Sequence, residues 1–139
     1  MHRGLLPVLP LLIVALLAVG CSGPGSGQVV VEPTAGSVEL EVGQTLVVDF
    51  GEINESVGDA WALAVEPDPA VLAVGAVASE YHGEEGMTGA PTTLTHSFEA
   101  VGRGETAIEF QFSYRGSTDT ADTSERMSEP RPRLVVTVD

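Results

Sequence analysis

Residues 92–114 read TTLTHSFEAVGRGETAIEFQFSY, and their spacing decides the fold. Leu94, His96, Phe98 and Ala100 recur at every second position, and so do Ile108, Phe110, Phe112 and Tyr114, set against Glu109, Gln111, Ser113 and Arg115. A period of two places one set of side chains on a buried face and the other in water, the signature of a β-strand. Gly102-Arg103-Gly104 supplies the turn, so the stretch reads as a hairpin.

The same period recurs on either side. Upstream, Val38, Leu40 and Val42 alternate with Glu39 and Glu41; Gly43-Gln44 then turns the chain into Leu46, Val48 and Phe50, a second expected hairpin. Trp61, Leu63 and Val65 share a face, Pro67-Asp68-Pro69 interrupts, and β-branched and small residues resume from Val71 to Ala78. Leu134, Val136 and Val138 mark a terminal strand, and Val29 to Val31 an added edge strand. About seven short strands with turns between them and no long helical period predict an all-β, immunoglobulin-like antiparallel sandwich of two sheets over residues 29–139. Trp61, Phe98, Phe110, Phe112 and Tyr114 are the expected large core residues, with Trp61 as structural support.

Strands that run up and down place successive loops at alternate ends. Gly43-Gln44, Pro67 to Pro69 and Gly102 to Gly104 are tight and belong to one pole. The long connections Glu52 to Asp59, Ser79 to Pro91 and Gly116 to Pro132 belong to the other, where they predict a recognition surface.

The first twenty residues carry a different signal. Arg3 precedes an apolar run from Leu5 to Val19 that contains Pro7 and Pro10 and is shorter than the roughly 20 residues of a membrane-spanning helix. Ala18-Val19-Gly20-Cys21 resembles the lipobox of bacterial lipoproteins. The expectation is a signal peptide over residues 1–20, a lipid on Cys21, and a flexible Gly/Ser tether over 21–28 that holds the protein to the extracytoplasmic face of the cell membrane. Cys21 is the only cysteine, so no internal disulfide can form. Loss of Arg3 leaves five basic residues against twenty acidic ones, a net charge of −15, and there is no lysine. Such a field repels phosphates, which argues against nucleic-acid binding and leaves the lipid as the only membrane attachment.

In the first long loop stand Asn54-Glu55-Ser56-Val57-Gly58-Asp59-Ala60-Trp61. This resembles the N-P-T-T-G loop and following aromatic, small residue and tryptophan of the chagasin-like inhibitors of papain-type cysteine proteases. The lead-in Val42 to Leu46 and the stretch Phe98 to Tyr114 are similar to the family's as well. The resemblance implies an immunoglobulin-like monomer whose three same-end loops occlude a protease's active-site cleft. The matching contacts are Asn54, Ser56, Val57 and Gly58 in the first loop, Gly86 and Gly89 in the glycine-bearing second, and Arg115 in the third. Glu55 stands where the family has proline and Asp59 where it has an aromatic, so two negative charges are expected in the wedge. Arg115 lacks the family's following proline and aromatic, and Arg131-Pro132-Arg133 reads as the approach to the last strand. The alternative on the same scaffold is a non-inhibitory adhesion or assembly module of the cell envelope.

No serine or cysteine has a base beside it, so no enzyme is expected. His96 alternates with Leu94 and Phe98 and reads as a hydrogen-bonded core histidine. Neither Glu80, His82, Glu84, Glu85 and Met87 nor Asp119, Asp122 and Glu125 follows a recognisable metal-ligand spacing, so neither a metal nor any other cofactor is expected.

Overall fold

Strands form where the period of two runs. In the computed structural model, which describes residues 27–139, they are β1 (Gln28–Val31), β2 (Ser37–Leu40), β3 (Thr45–Ile53), β4 (Asp59–Val65), β5 (Leu72–Tyr81), β6 (Thr92–Ala100), β7 (Gly104–Tyr114) and β8 (Arg133–Val138). One 3-10 turn, Glu55–Val57, and one short helix, α1 (Thr120–Ser124), complete the described elements. The signal peptide expected over residues 1–20, the lipid site Cys21 and most of the tether lie outside the described residues.

The strands make two four-stranded sheets, ordered β1-β3-β6-β5 and β2-β8-β7-β4. This is the two-layer all-β sandwich expected, with two corrections. The eighth strand is β1, the added edge strand expected at Val29 to Val31; it joins one sheet, and the chain reverses through a turn at Glu32 to Gly36, where Gly36 takes φ 83°, before β2 joins the other. The sheets are not purely antiparallel, since β1 runs parallel to β3 and β2 parallel to β8. Neither expected hairpin exists: β2 and β3 lie in opposite sheets, and so do β6 and β7. Alternation reports that a strand has one buried face, and two strands that face each other across a core satisfy it as well as two that lie side by side.

That core is continuous. Phe98 of one sheet meets Phe110 of the other edge-on, with ring centroids 6.2 Å apart, and Phe50 meets Phe110 at 4.9 Å. Leu46, Leu72, Ile108, Leu134 and Phe112 are fully buried around them. Each such side chain contributes about 1.5–3 kcal/mol of burial free energy. Trp61 is only partly buried; its ring lies 5.0 Å from Phe50 and 5.3 Å from Phe112. His96 is 7% exposed and stacks on Phe98 at 4.5 Å, but its Nε2 has no hydrogen-bond partner, contrary to the expectation. The rings of Phe98 and Phe110 that flank it offer no acceptor or donor, and burial holds its pKa below the usual 6.5.

The tight turns gather at one pole. Gly43 N–H donates to the Ala100 carbonyl (2.7 Å), and Val101 N–H to the Val71 carbonyl (2.9 Å). A Cβ on Gly102 would overlap the Ala70 carbonyl oxygen, which is why this connection needs glycine.

Candidate functional site

At the opposite pole β3 ends on the buried Ile53, and Asn54 caps the turn that follows. Its side-chain oxygen accepts from Ser56 N–H (3.2 Å) and from the Ser56 hydroxyl (2.9 Å), while its carbonyl accepts from Val57 and Asp59 N–H, both at 3.2 Å. Gly58 closes the turn with φ 99°, a left-handed conformation that a side chain would strain. Five residues are thereby held by their own hydrogen bonds.

The second connection begins later than expected, because β5 continues to Tyr81, so the loop spans residues 82–91. It folds on itself: the Tyr81 hydroxyl donates to the Met87 carbonyl (2.6 Å), and His82 N–H to the Pro91 carbonyl (3.0 Å). Gly86 (φ 82°) and Gly89 (φ 85°) occupy left-handed positions that turn the loop tip. The His82 ring is engaged with Thr93 Oγ1 at 2.6 Å. Among the described residues no three His, Cys, Asp or Glu side chains come close enough to hold a metal ion.

The third connection opens with a two-residue turn. Tyr114 and Ser117 exchange both backbone hydrogen bonds, each 2.9 Å, and Arg115 (φ 51°) and Gly116 (φ 80°) between them both take positive φ, the type I′ geometry. Arg115 is the one non-glycine at positive φ among the described residues, and it is exposed at the loop tip. Such a conformation costs about 1–2 kcal/mol for a residue with a side chain. Further along, Asp119 caps α1 through Ala121 N–H (3.0 Å), and Thr123 is fully buried, so this polar stretch is folded against the sandwich.

Direct contacts join the three loops. Asn54 Nδ2 donates to the Gly89 carbonyl (3.4 Å), which links the first to the second. Arg115 N–H donates to the Gly58 carbonyl (2.8 Å), which links the first to the third. Asn54, Ser56, Val57, Gly58, Gly89 and Arg115 are thus brought to one end. Gly86 lies on the second loop's own turn.

Asp59 corrects the sequence reading. It is only 8% exposed; Arg126 Nε donates to Oδ1 at 2.6 Å and Nη2 to Oδ2 at 2.9 Å, while Asn54 N–H donates to Oδ2 at 3.1 Å. The Arg126 hydrogen bonds hold this carboxyl below its usual range against the opposing effect of burial. Asp59 therefore adds no free charge to the wedge; it anchors the first loop to the third. Arg126 also stands over the Tyr114 ring at 4.6 Å, and Arg115 at 5.1 Å. Arg126 was invisible in the sequence because 67 residues separate it from Asp59 and no period marks it.

The exposed side chains at this pole include Glu55, Ser56, His82, Glu84, Glu85, Met87, Arg115 and Arg126. They form an edge braced by the contacts between the loops. The sequence model of the chagasin family peptidase inhibitors, I42, matches residues 39–128, a span that holds the first two loops, the third as far as Ser128, and Arg126. Among solved structures, the cysteine protease inhibitor EhICP2 from Entamoeba histolytica is similar, with 16% identity, a TM-score of 0.61, and 84% of this chain and 100% of that chain covered. Amebosin is similar at 14% identity and a TM-score of 0.57, with 83% and 100% covered. Identities this low speak for a shared fold. No curated protein matches the sequence.

Proposed function

Starting from the fact that this chain belongs to the chagasin family of peptidase inhibitors, we propose that it blocks papain-type cysteine proteases by seating its three-loop pole in the active-site cleft, while a lipid on Cys21 holds it to the outer face of the cell membrane. The family it belongs to is one of inhibitors, not of enzymes. The observation that carries the reading is the bracing of the loops against one another: Asn54 to Gly89, Gly58 to Arg115, and Asp59 to Arg126. A protruding surface already fixed by such contacts loses little conformational freedom when it enters a groove, so more of its contact energy appears as affinity.

Asn54 to Gly58 form the central element of this wedge, Gly86 and Gly89 allow the second loop to approach a protein surface closely, and Arg115 supplies a cation to which no carboxylate among the described residues is bonded. Glu55 leaves the wedge acidic where the family has proline, which favours a protease with a cationic rim. The anchoring reading rests on the run from Leu5 to Val19 followed by Ala18-Val19-Gly20-Cys21.

The test is a titration of papain and of cathepsin-type enzymes with the chain carrying Cys21→Ser, which removes the lipid site. Competitive inhibition at a one-to-one ratio is expected. Absence of inhibition at micromolar concentration would leave the adhesion or assembly module as the reading of this scaffold.

A further inference from the structure

The direction of the first strand sets which pole faces the membrane. β1 runs parallel to β3, with Gln28 opposite Thr45 and Val31 opposite Val48, and the Gly27 carbonyl accepts from Thr45 N–H at 3.0 Å. β3 starts beside the Gly43 turn and ends at Ile53, next to Asn54. The chain therefore enters the sandwich at the tight-turn pole, where Asp139 also lies, its carbonyl accepting from Val42 N–H. Residues 22–26 alone separate Cys21 from Gly27, so even fully extended the link reaches about 20 Å. The nine residues of β3 carry the chain about 30 Å from one pole to the other.

We infer that the protein stands on the membrane by its tight-turn pole and presents the three-loop pole outward, to proteases that approach in trans from the extracytoplasmic solution. The inference rests on the anchoring proposed above and adds an orientation and a class of partner to it. A tether joined at the loop pole would have pressed the wedge against the head groups; joined at Gly27, it leaves the whole length of the sandwich between them. Charge supports the upright stance, because a mature chain at −15 is repelled by an anionic leaflet and resists lying flat on it. A protease whose cleft stays within the head-group layer would not reach the tip.

The lipidated full chain, reconstituted in phosphatidylcholine–phosphatidylglycerol vesicles with a head-group quencher, tests this directly. A fluorophore is placed on a single introduced cysteine, either Val42→Cys at the tight turns or Met87→Cys at the loop tip, both at exposed positions. Arg103→Cys replaces Val42→Cys if that variant fails to fold. The result expected is quenching several times stronger at position 42 (or 103) than at 87, together with inhibition of soluble papain by the unlabelled, otherwise native lipidated chain on vesicles equal to that by the Cys21→Ser chain. Equal or inverted quenching on vesicles that carry the protein overturns the orientation and leaves inhibition standing. A chain that does not float with the vesicles overturns the anchor, and the orientation with it. Papain left fully active by both forms, with the quenching pattern as expected, refutes the inhibitory reading and the protease partner, not the stance on the membrane.

Discussion

Replacing Gly58 by alanine probes the bracing of the first loop against the third. The left-handed backbone at φ 99° costs an alanine about 1–2 kcal/mol. The new Cβ would also stand 2.9 Å from Arg115 Cγ, 3.0 Å from its backbone N and 3.1 Å from its Cα. Two of these atoms are backbone, so relief requires moving the third loop, which puts at risk the Arg115 N–H bond to the Gly58 carbonyl, worth about 1 kcal/mol. The total is about 2–3 kcal/mol. Gly86→Ala is the matched control, since Gly86 has φ 82° and open space where its Cβ would lie. It bears the backbone cost alone, and the entropy that either alanine removes from the unfolded chain cancels in the comparison. In thermal unfolding Gly58→Ala should melt lower than Gly86→Ala by about 4–8 °C for each kcal/mol of difference. Because the clash displaces Arg115, the inhibition constant for papain should also rise about tenfold, which corresponds to about 1.4 kcal/mol. Equal melting temperatures for the two variants would refute the claim that the loops are packed against each other at Gly58.

The Asp59 carboxyl is held low chiefly by Arg126, so its stabilising effect is complete above the ordinary value of 3.8 and is lost as pH falls through its folded pKa. Asp59→Asn should therefore lose less stability than the native chain between about pH 5 and about pH 2 in urea titrations; identical acid slopes would remove the ion pair from the account. His96 has a pKa depressed by burial, so its contribution is complete above 6.5 and is lost as pH falls below that value, where the unfolded chain takes up the proton. His96→Phe should abolish this component and add about 1 kcal/mol at neutral pH by removing a nitrogen without a partner. A variant no more stable than the native chain, with the same loss from pH 7.5 to 5.5, would contradict it.

The strands were legible because one-sided burial writes itself as alternation, as in Leu94 to Ala100 and Ile108 to Phe112. The partition into sheets was not, since Val42-Gly43-Gln44 and Gly102-Arg103-Gly104 are as suited to crossing a core as to turning within one layer. The tight and long loops were sorted correctly between poles because each strand reverses the chain whichever sheet receives it. The first loop announced itself through Asn54, Ser56 and Gly58, which bond or turn as those residue types do in isolation. What ties that loop down was hidden: Asp59 looked like a free charge because its partner, Arg126, belongs to a polar stretch without period. The type I′ turn at Arg115-Gly116 was obscure for a similar reason, since arginine at positive φ is uncommon and only the paired backbone bonds of Tyr114 and Ser117 reveal it. His96 was placed in the core by its period, but whether its ring finds a partner depends on neighbours from several strands.

Amide hydrogen exchange of the Cys21→Ser chain, free and bound to papain, tests the central claim most directly. Binding should slow exchange at Asn54 to Gly58, at Gly86 to Gly89 and at Arg115 to Ser117, and leave Gly43, Gln44 and Gly102 to Gly104 unchanged. Slowing at the tight-turn pole or along β5, with those three loops unaffected, would contradict it.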